Sequence, residues 1–323
     1  MTVTVLLPVY NAGPPLRQAI ESILGQDHRE FELLIIDDRS NDDSANVIRE
    51  YAARDQRVRA VYHDRNLGLS TTLNEGLQLA THDLVARMDQ DDESLPSRLR
   101  VQLEFMRAHP EVVVAGSFVY HMGATQRHDR LMTFPTDPRE IRERLLRENT
   151  LYHPSVIMRR LEILELGGYR DEFKNAEDYD LWLRASKRYD LAVIPEPLLR
   201  YRFSVHGMTL GRKWEQLFFV YFAQVANEDA ARTLDDARHL AEERLAATDR
   251  ESFLAHTAQW MISEFGFLHL WRDAATLVVR LVRDVRPRVA ARALRIVAGT
   301  WTQSALAVQR VRFASLRRYF PLA

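Results

Sequence analysis

Up to about residue 200, short apolar runs alternate with amphipathic stretches, the pattern of a largely parallel sheet covered by helices. VTVLLPV, residues 3–9, predicts the first strand, and Pro15–Gln26 a helix with Leu16, Ala19, Ile20 and Ile23 on one face. FELLIID, Phe31–Asp37, predicts the second strand, followed by a helix over Ala45–Arg54. VRAVYH predicts a third strand, Thr71–Ala80 a helix, and DLVARMD, residues 83–89, a fourth strand. Pro96 opens a helix to His109, its fixed φ suiting a first turn, and VVVAGS from Val112 predicts a fifth strand. These elements make a doubly wound half.

Residues 118–135 lose periodicity and read as an excursion or a β-hairpin. A helix over Pro138–Glu148, a strand near Pro154–Met158, a helix over Ala176–Tyr189 and a short strand over Leu191–Ile194 follow. Beyond about residue 210 the strand pattern stops and helical patterns run on. The expected organisation is an α/β domain over residues 1–210 and an all-helical region over 211–323.

Composition narrows the function. The 323 residues have room for two domains, and no cysteine is present, so disulfides, thiolate metal sites and a cysteine nucleophile are excluded. A formal net charge of −1 gives no global drive toward nucleic acid. MTVTVLLPVYNAG lacks a basic n-region and its apolar run is too short for a span, so it reads as a buried strand of a cytoplasmic protein. From Arg280 to Arg318, ten arginines stand against one acid, Asp284, among apolar residues. Such a face suits an anionic membrane surface, as a peripheral contact on the inner membrane, or an acidic partner, or a homo-oligomer interface.

Open α/β sheets bind ligands outside the carboxyl ends of their strands, so polar residues there carry the most weight. Strand one ends in Pro8, Tyr10, Asn11 and Gly13; strand two in Asp37, Asp38, Ser40 and Asp43; strand four in Asp89, Gln90, Asp91 and Asp92. Taken singly, each set also reads as a polar turn or a helix cap. Together, the acids recur at one sheet edge. Asp89 and Asp91 are hard oxygen donors suited to Mg²⁺ or Mn²⁺, and an ion there calls for an anionic co-ligand, most simply a diphosphate. NAGPPL after strand one supplies neither a dinucleotide fingerprint nor a P-loop.

The chain resembles the inverting family 2 glycosyltransferases of GT-A fold. The resemblance rests on LLPVYNAGPPLRQAIESILGQ, FELLIIDDRSNDDS, RNLGLSTTLNEGLQLA, ARMDQDD with LPSRL, YHPSVIMRR, LGGYRDEF and AEDYDLWLR, in order over about residues 1–206. It implies a nucleotide-diphosphate sugar donor, commonly UDP-linked, and a glycan or lipid-linked hydroxyl acceptor. It implies nucleotide contacts at Pro8, Tyr10, Asn11 and Asp38, with Arg65 and Asn66 near the nucleotide or diphosphate. Asp89-Gln90-Asp91 matches the family's DXD motif, with Asp91 the metal ligand and Asp89 nearer the ribose or sugar. His206 matches a further metal or diphosphate ligand. Asp178 matches the catalytic base, Glu177 an orienting residue, and His153, Gly168 and Tyr169 the acceptor side. The processive Gln-x-x-Arg-Trp motif is missing, which favours one sugar per encounter. A sugar nucleotidyltransferase and a non-catalytic helical scaffold are the competing readings.

Overall fold

The computed structural model describes residues 2–123, 126–202, 210–250, 252–254, 257, 260, 261 and 264. Two compact units are present, Met1–Phe203 with Glu215–Ala247, and Ser204–Trp214 with Thr248–Ala323. The first carries the expected strands and, in addition, a two-residue strand over Glu93–Ser94 that the sequence pattern does not indicate. Those are β1 (Val3–Val9), β2 (Phe31–Asp37), β3 (Val58–Tyr62), β4 (Leu84–Arg87), β5 (Glu93–Ser94), β6 (Val112–His121), β7 (Arg130–Met132), β8 (Ile157–Arg159) and β9 (Asp190–Tyr201). They form one sheet in the order β3-β2-β1-β4-β8-β6-β9-β5, with β7 paired to β6.

The strands β3-β2-β1-β4 are parallel, as a near-continuous apolar run buried on both faces requires, and every residue of β1 is buried. Beyond β4 the sheet is mixed: β8 runs antiparallel to β4 and β6, β9 parallel to β6, and β5 antiparallel to β9. Of the two readings for 118–135, the structure has the pairing of a hairpin, Arg130–Met132 of β7 lying antiparallel to Val119–His121 of β6. β9 continues to Tyr201, well past Ile194 where the sequence pattern stops. Pro195 and Pro197 suggest an end there, but register shifts against β6 between Ser117 and Val119 let the strand carry both prolines.

Helices α1 (Pro15–Leu24), α2 (Ser44–Arg54), α3 (Leu69–Leu79), α4 (Arg98–Ala108), α5 (Pro138–Leu145), α6 (Arg160–Glu165), α7 (Glu177–Ala185), α8 (Leu210–Glu228) and α9 (Leu234–Ala247), with short 3-10 turns at Gln126–His128 and His153–Ser155, complete the described elements. One apolar layer, with Val5, Leu7, Leu16, Ile20, Leu33 and Ile35, lies between the sheet and α1, α2 and α4. The other, with Leu6, Leu34, Leu73, Trp182 and Phe222, lies under α3, α5, α7 and α8. The change of character near residue 210 is a change of secondary structure, not of packing. Phe222 of α8 stacks on Phe173 at 4.4 Å, and Asn227 Nδ2 donates to Asp180 at 3.1 Å, so α8 from Glu215 and α9 belong to the unit of the sheet. In the second unit, the Trp214 ring meets Phe253 edge-on at 5.6 Å. No helix among the described residues is long and apolar enough to cross a membrane.

The parallel half builds a crevice. β4 pairs with β1 only over Thr4–Leu6, so the two strands part before Pro8, where a proline costs no ladder bond. The loops after β1, β2, β3 and β4 open at this edge.

Candidate active site

The chain ends of β1 and β4 are clamped across the gap by one side chain. Gln90 Oε1 accepts from Tyr10 N at 2.8 Å while Gln90 Nε2 donates to Tyr10 O at 3.2 Å. The middle residue of Asp89-Gln90-Asp91 therefore holds the motif against strand one. Tyr10 stays exposed. Asn11, in the left-handed region at φ 50°, donates from its N–H to Ser40 Oγ at 2.9 Å and accepts from Asn41 N at 2.7 Å, joining the loops after β1 and β2.

Asp38 is only 4% exposed and is saturated by its own chain. Its Oδ1 meets His63 Nδ1 and accepts from Leu67 N, each at 2.7 Å; its Oδ2 accepts from Asn66 Nδ2 and Gly68 N, each at 2.9 Å. A carboxylate offers about four acceptor positions, and all are used here. Asp38 is thus the clasp of the 63–68 loop, and a nucleobase N–H at this carboxylate would have to replace one of these bonds. Asn66 joins that clasp through its side-chain amide, and both it and Arg65 are exposed.

The acids after β4 crowd one another. Asp91 is pushed up to about 6 by burial and by the charge of Asp89. Asp92, 1% exposed, is raised well above the usual carboxylate range by burial and by both neighbours; its Oδ1 accepts from Arg202 N at 2.7 Å and its Oδ2 has no hydrogen-bond partner. Asp89 is held by Arg87 Nη2 at 2.5 Å.

Arg87 was not singled out by the sequence, although it directly precedes this run. Its guanidinium is buried, and its Nε and Nη1 have no partner. It stands near enough to lower the proton affinity of Asp91 and Asp92 on one side and of Glu177 and Asp178 on the other. Asp89 in turn raises Glu177. The two acidic segments, about ninety residues apart in sequence, share one electrostatic neighbourhood.

Glu177 and Asp178 open α7 after Asn175, whose φ of 61° turns the chain into the helix. Asp178 Oδ2 accepts from Asn149 Nδ2 at 2.7 Å and its Oδ1 from Tyr179 N at 2.7 Å. Desolvation raises Asp178, against the lowering effect of those two donors. Glu177, 7% exposed, is pushed up to about 7 by burial first and Asp178 second. A carboxyl group whose folded pKa lies above its unfolded value destabilises the fold as pH rises through that window. Glu177→Gln is therefore expected to leave stability unchanged near pH 4 and to raise it by on the order of 1–3 kcal/mol above pH 7. Thermal melts across pH check this.

Asp180, two residues on, is a structural anion. It is fully buried between Arg170 and Arg184, and Arg184 also donates to Leu166 O and Gly168 O. His153, Gly168 and Tyr169 are buried as well. Tyr169 OH lies 2.9 Å from His153 Nε2, and Asn74 of α3 binds Tyr169 N and O at 2.8 and 2.7 Å. These three residues, expected on the acceptor side, are buried, and Tyr169 is tied to His153 and to Asn74 of α3. Gly168, at φ +64°, has no room for a Cβ, which would fall on the Asn74 side-chain oxygen. Gly168→Ala is expected to cost about 1–3 kcal/mol, measurable as a lower melting temperature.

Among the described residues, no group of three or more His, Asp or Glu side chains is arranged to hold a metal ion by itself. The donor set nevertheless fits a hard divalent cation completed by ligand oxygens, because Asp91 is crowded by like charge and Asp92 Oδ2 is unpartnered. His206 lies outside the described residues, as does the arginine-rich stretch from Arg280 to Arg318.

Residues 4–166 match the sequence model of the family described as Glycosyl transferase family 2. The amylovoran biosynthesis glycosyltransferase AmsE of Erwinia amylovora is 31% identical over 217 residues, covering 66% of this chain and 81% of its own. The putative glycosyltransferase EpsE of Bacillus subtilis is 34% identical over 188 residues, 56% of this chain and 66% of its own. Among solved structures, S. aureus TarS 1-349 in complex with UDP superposes with a TM-score of 0.55 at 19% identity, over 94% of this chain and 92% of that one. The mannosyltransferase PcManGT of Pyrobaculum calidifontis, in complex with GDP-Man and Mn²⁺, gives 0.54 at 19% identity, over 95% and 81%. The fold is of the GT-A type.

Proposed function

Because the chain belongs to glycosyl transferase family 2, we propose that it moves one sugar per encounter from a nucleotide-diphosphate donor, UDP-linked in the first instance, to a hydroxyl of a glycan or lipid-linked oligosaccharide, inverting the anomeric carbon. The supporting observation is the common neighbourhood of the Asp89–Asp92 run and the Glu177–Asp178 pair around Arg87. AmsE, named for amylovoran biosynthesis, supports a role in polysaccharide assembly.

In this reading the nucleotide lies along the crevice past β1 and β2, against Pro8, Tyr10, Asn11 and the loop of Arg65 and Asn66 clasped by Asp38. Asp89 faces the ribose or the sugar. Asp91, with His206, would hold Mn²⁺ or Mg²⁺, which when bound neutralises charge on the leaving diphosphate. Asp178 takes the proton of the attacking hydroxyl, and Asn149 fixes the rotamer in which it does so. Glu177, whose burial favours a protonated carboxyl near neutral pH, orients the acceptor as a hydrogen-bond donor. His153, Gly168 and Tyr169 shape the acceptor side. The arginine-rich stretch from Arg280 to Arg318 suits an acceptor presented at an anionic membrane.

A thermal-shift screen of UDP, GDP and dTDP, each with and without Mn²⁺, tests the reading. One nucleotide is expected to stabilise the protein, and more strongly with the cation. No shift with any of them contradicts it.

A further inference from the structure

The sequence offers no reason to select His63 or Glu75, and no role given so far uses them. The His63 side chain is 6% exposed and is gripped at both ring nitrogens. Nδ1 lies 2.7 Å from Asp38 Oδ1 and Nε2 lies 2.9 Å from Glu75 Oε2. Glu75 projects from α3 and is partly exposed; Asp38 directly follows β2; His63 follows β3. Among the described residues, the ionisable groups that face the ring are these two carboxylates. The line Glu75–His63–Asp38 thus ties a helix to the ends of two strands. It finishes on the carboxylate that holds Asn66, Leu67 and Gly68.

We propose that His63, anchored from behind by Glu75, is a positioning residue for donor binding: it fixes Asp38 and, through Asp38, the 63–68 loop that forms the nucleotide end of the crevice. The proposal rests on the donor reading above. A ring with two carboxylate partners satisfies both only when both nitrogens carry protons, so the arrangement is built for the imidazolium. Its positive charge offsets Asp38 beside a ligand that is itself an anion. Loss of one proton turns one nitrogen into an acceptor facing a carboxylate, and one end of the line lets go. The two partners raise His63 against the opposing effect of burial, which agrees with a cation held in place. Nucleotide affinity is therefore high while the ring is doubly protonated and falls as pH rises through its titration, with the chemical step untouched.

Calorimetric titration with UDP and GDP in Mg²⁺, from pH 6 to 9, on wild type, His63→Gln and Glu75→Gln, tests this. His63→Gln is expected to weaken nucleotide binding about tenfold at pH 6, the effect of losing one charge-assisted hydrogen bond. It should also lose the wild-type decline toward pH 9, and raise the donor KM with kcat kept. Glu75→Gln, at a partly exposed position, should move the midpoint of that decline to lower pH by about one unit, since one of two anionic partners is gone. A His63→Gln protein that melts earlier but binds nucleotide as wild type does would make His63 merely structural and overturn the proposal. So would a Glu75→Gln midpoint that stays in place. Wild-type protein that binds neither nucleotide overturns the donor reading itself, whereas binding with a flat pH response overturns only the role of His63.

Discussion

Asp178→Asn is expected to abolish sugar transfer, with a loss of about 10²- to 10⁴-fold, while nucleotide binding and melting temperature stay close to wild type. The substitution keeps the size of the group and keeps an oxygen for the Tyr179 N–H. What it removes is the ability to accept a proton, together with the acceptor for Asn149 Nδ2, a loss set against the relieved desolvation of the carboxylate. Asp178 stands at the first turn of α7, and a carboxylate at a helix N-terminus is also favoured by the helix dipole, so a purely structural role predicts a different outcome. In that case stability drops and transfer survives. Rates with a radiolabelled donor, together with nucleotide titration of the same preparation, separate the two. Near-normal turnover removes Asp178 from the mechanism.

The second large effect is at Asp91. Asp91→Ala is expected to weaken cation-dependent nucleotide binding by on the order of a hundredfold, about 2.7 kcal/mol, and to leave the cation-independent component in place. Asp91 lies in a run of three carboxylates, with burial and Asp89 disfavouring its charge, so its ionised form is held at a cost that a bound cation offsets. Without the cation, the variant protein should be at least as stable as wild type. A titration in which Mn²⁺ strengthens nucleotide binding equally in both proteins would falsify the metal role of Asp91.

The edge of the sheet that carries these groups was legible in the sequence because β1, β2 and β4 are nearly uninterrupted apolar runs, and such runs end abruptly where polar residues begin. β1 over Val3–Val9 and β2 over Phe31–Asp37 match their sequence bounds. Longer-range partners left no local signal. Nothing near Asp38 in sequence announces that Asn66, Leu67 and Gly68 will fill it, and nothing near Asp178 announces Asn149. Arg87 reads as an interruption of an apolar strand until its proximity to both acidic segments is known. The continuation of β9 past Pro195 was hidden for a physical reason: prolines argue against a strand unless the partner register shifts, and a register shift is a property of the pair. Tyr169 and His153 show the converse. Motif position marks them for the acceptor side, and the structure adds that both are buried, with Tyr169 3% and His153 8% exposed.

In the proposed mechanism the acids after β4 and those opening α7 work on opposite sides of one bound donor. This arrangement is tested most directly by a crystal structure of the protein with its preferred sugar nucleotide and Mn²⁺, with the metal located by anomalous scattering. A manganese peak bonded to Asp91 and to diphosphate oxygens is expected, with the face of the sugar remote from the diphosphate turned toward Asp178. A metal peak away from Asp91, or a sugar with Asp178 on the diphosphate side, would contradict it.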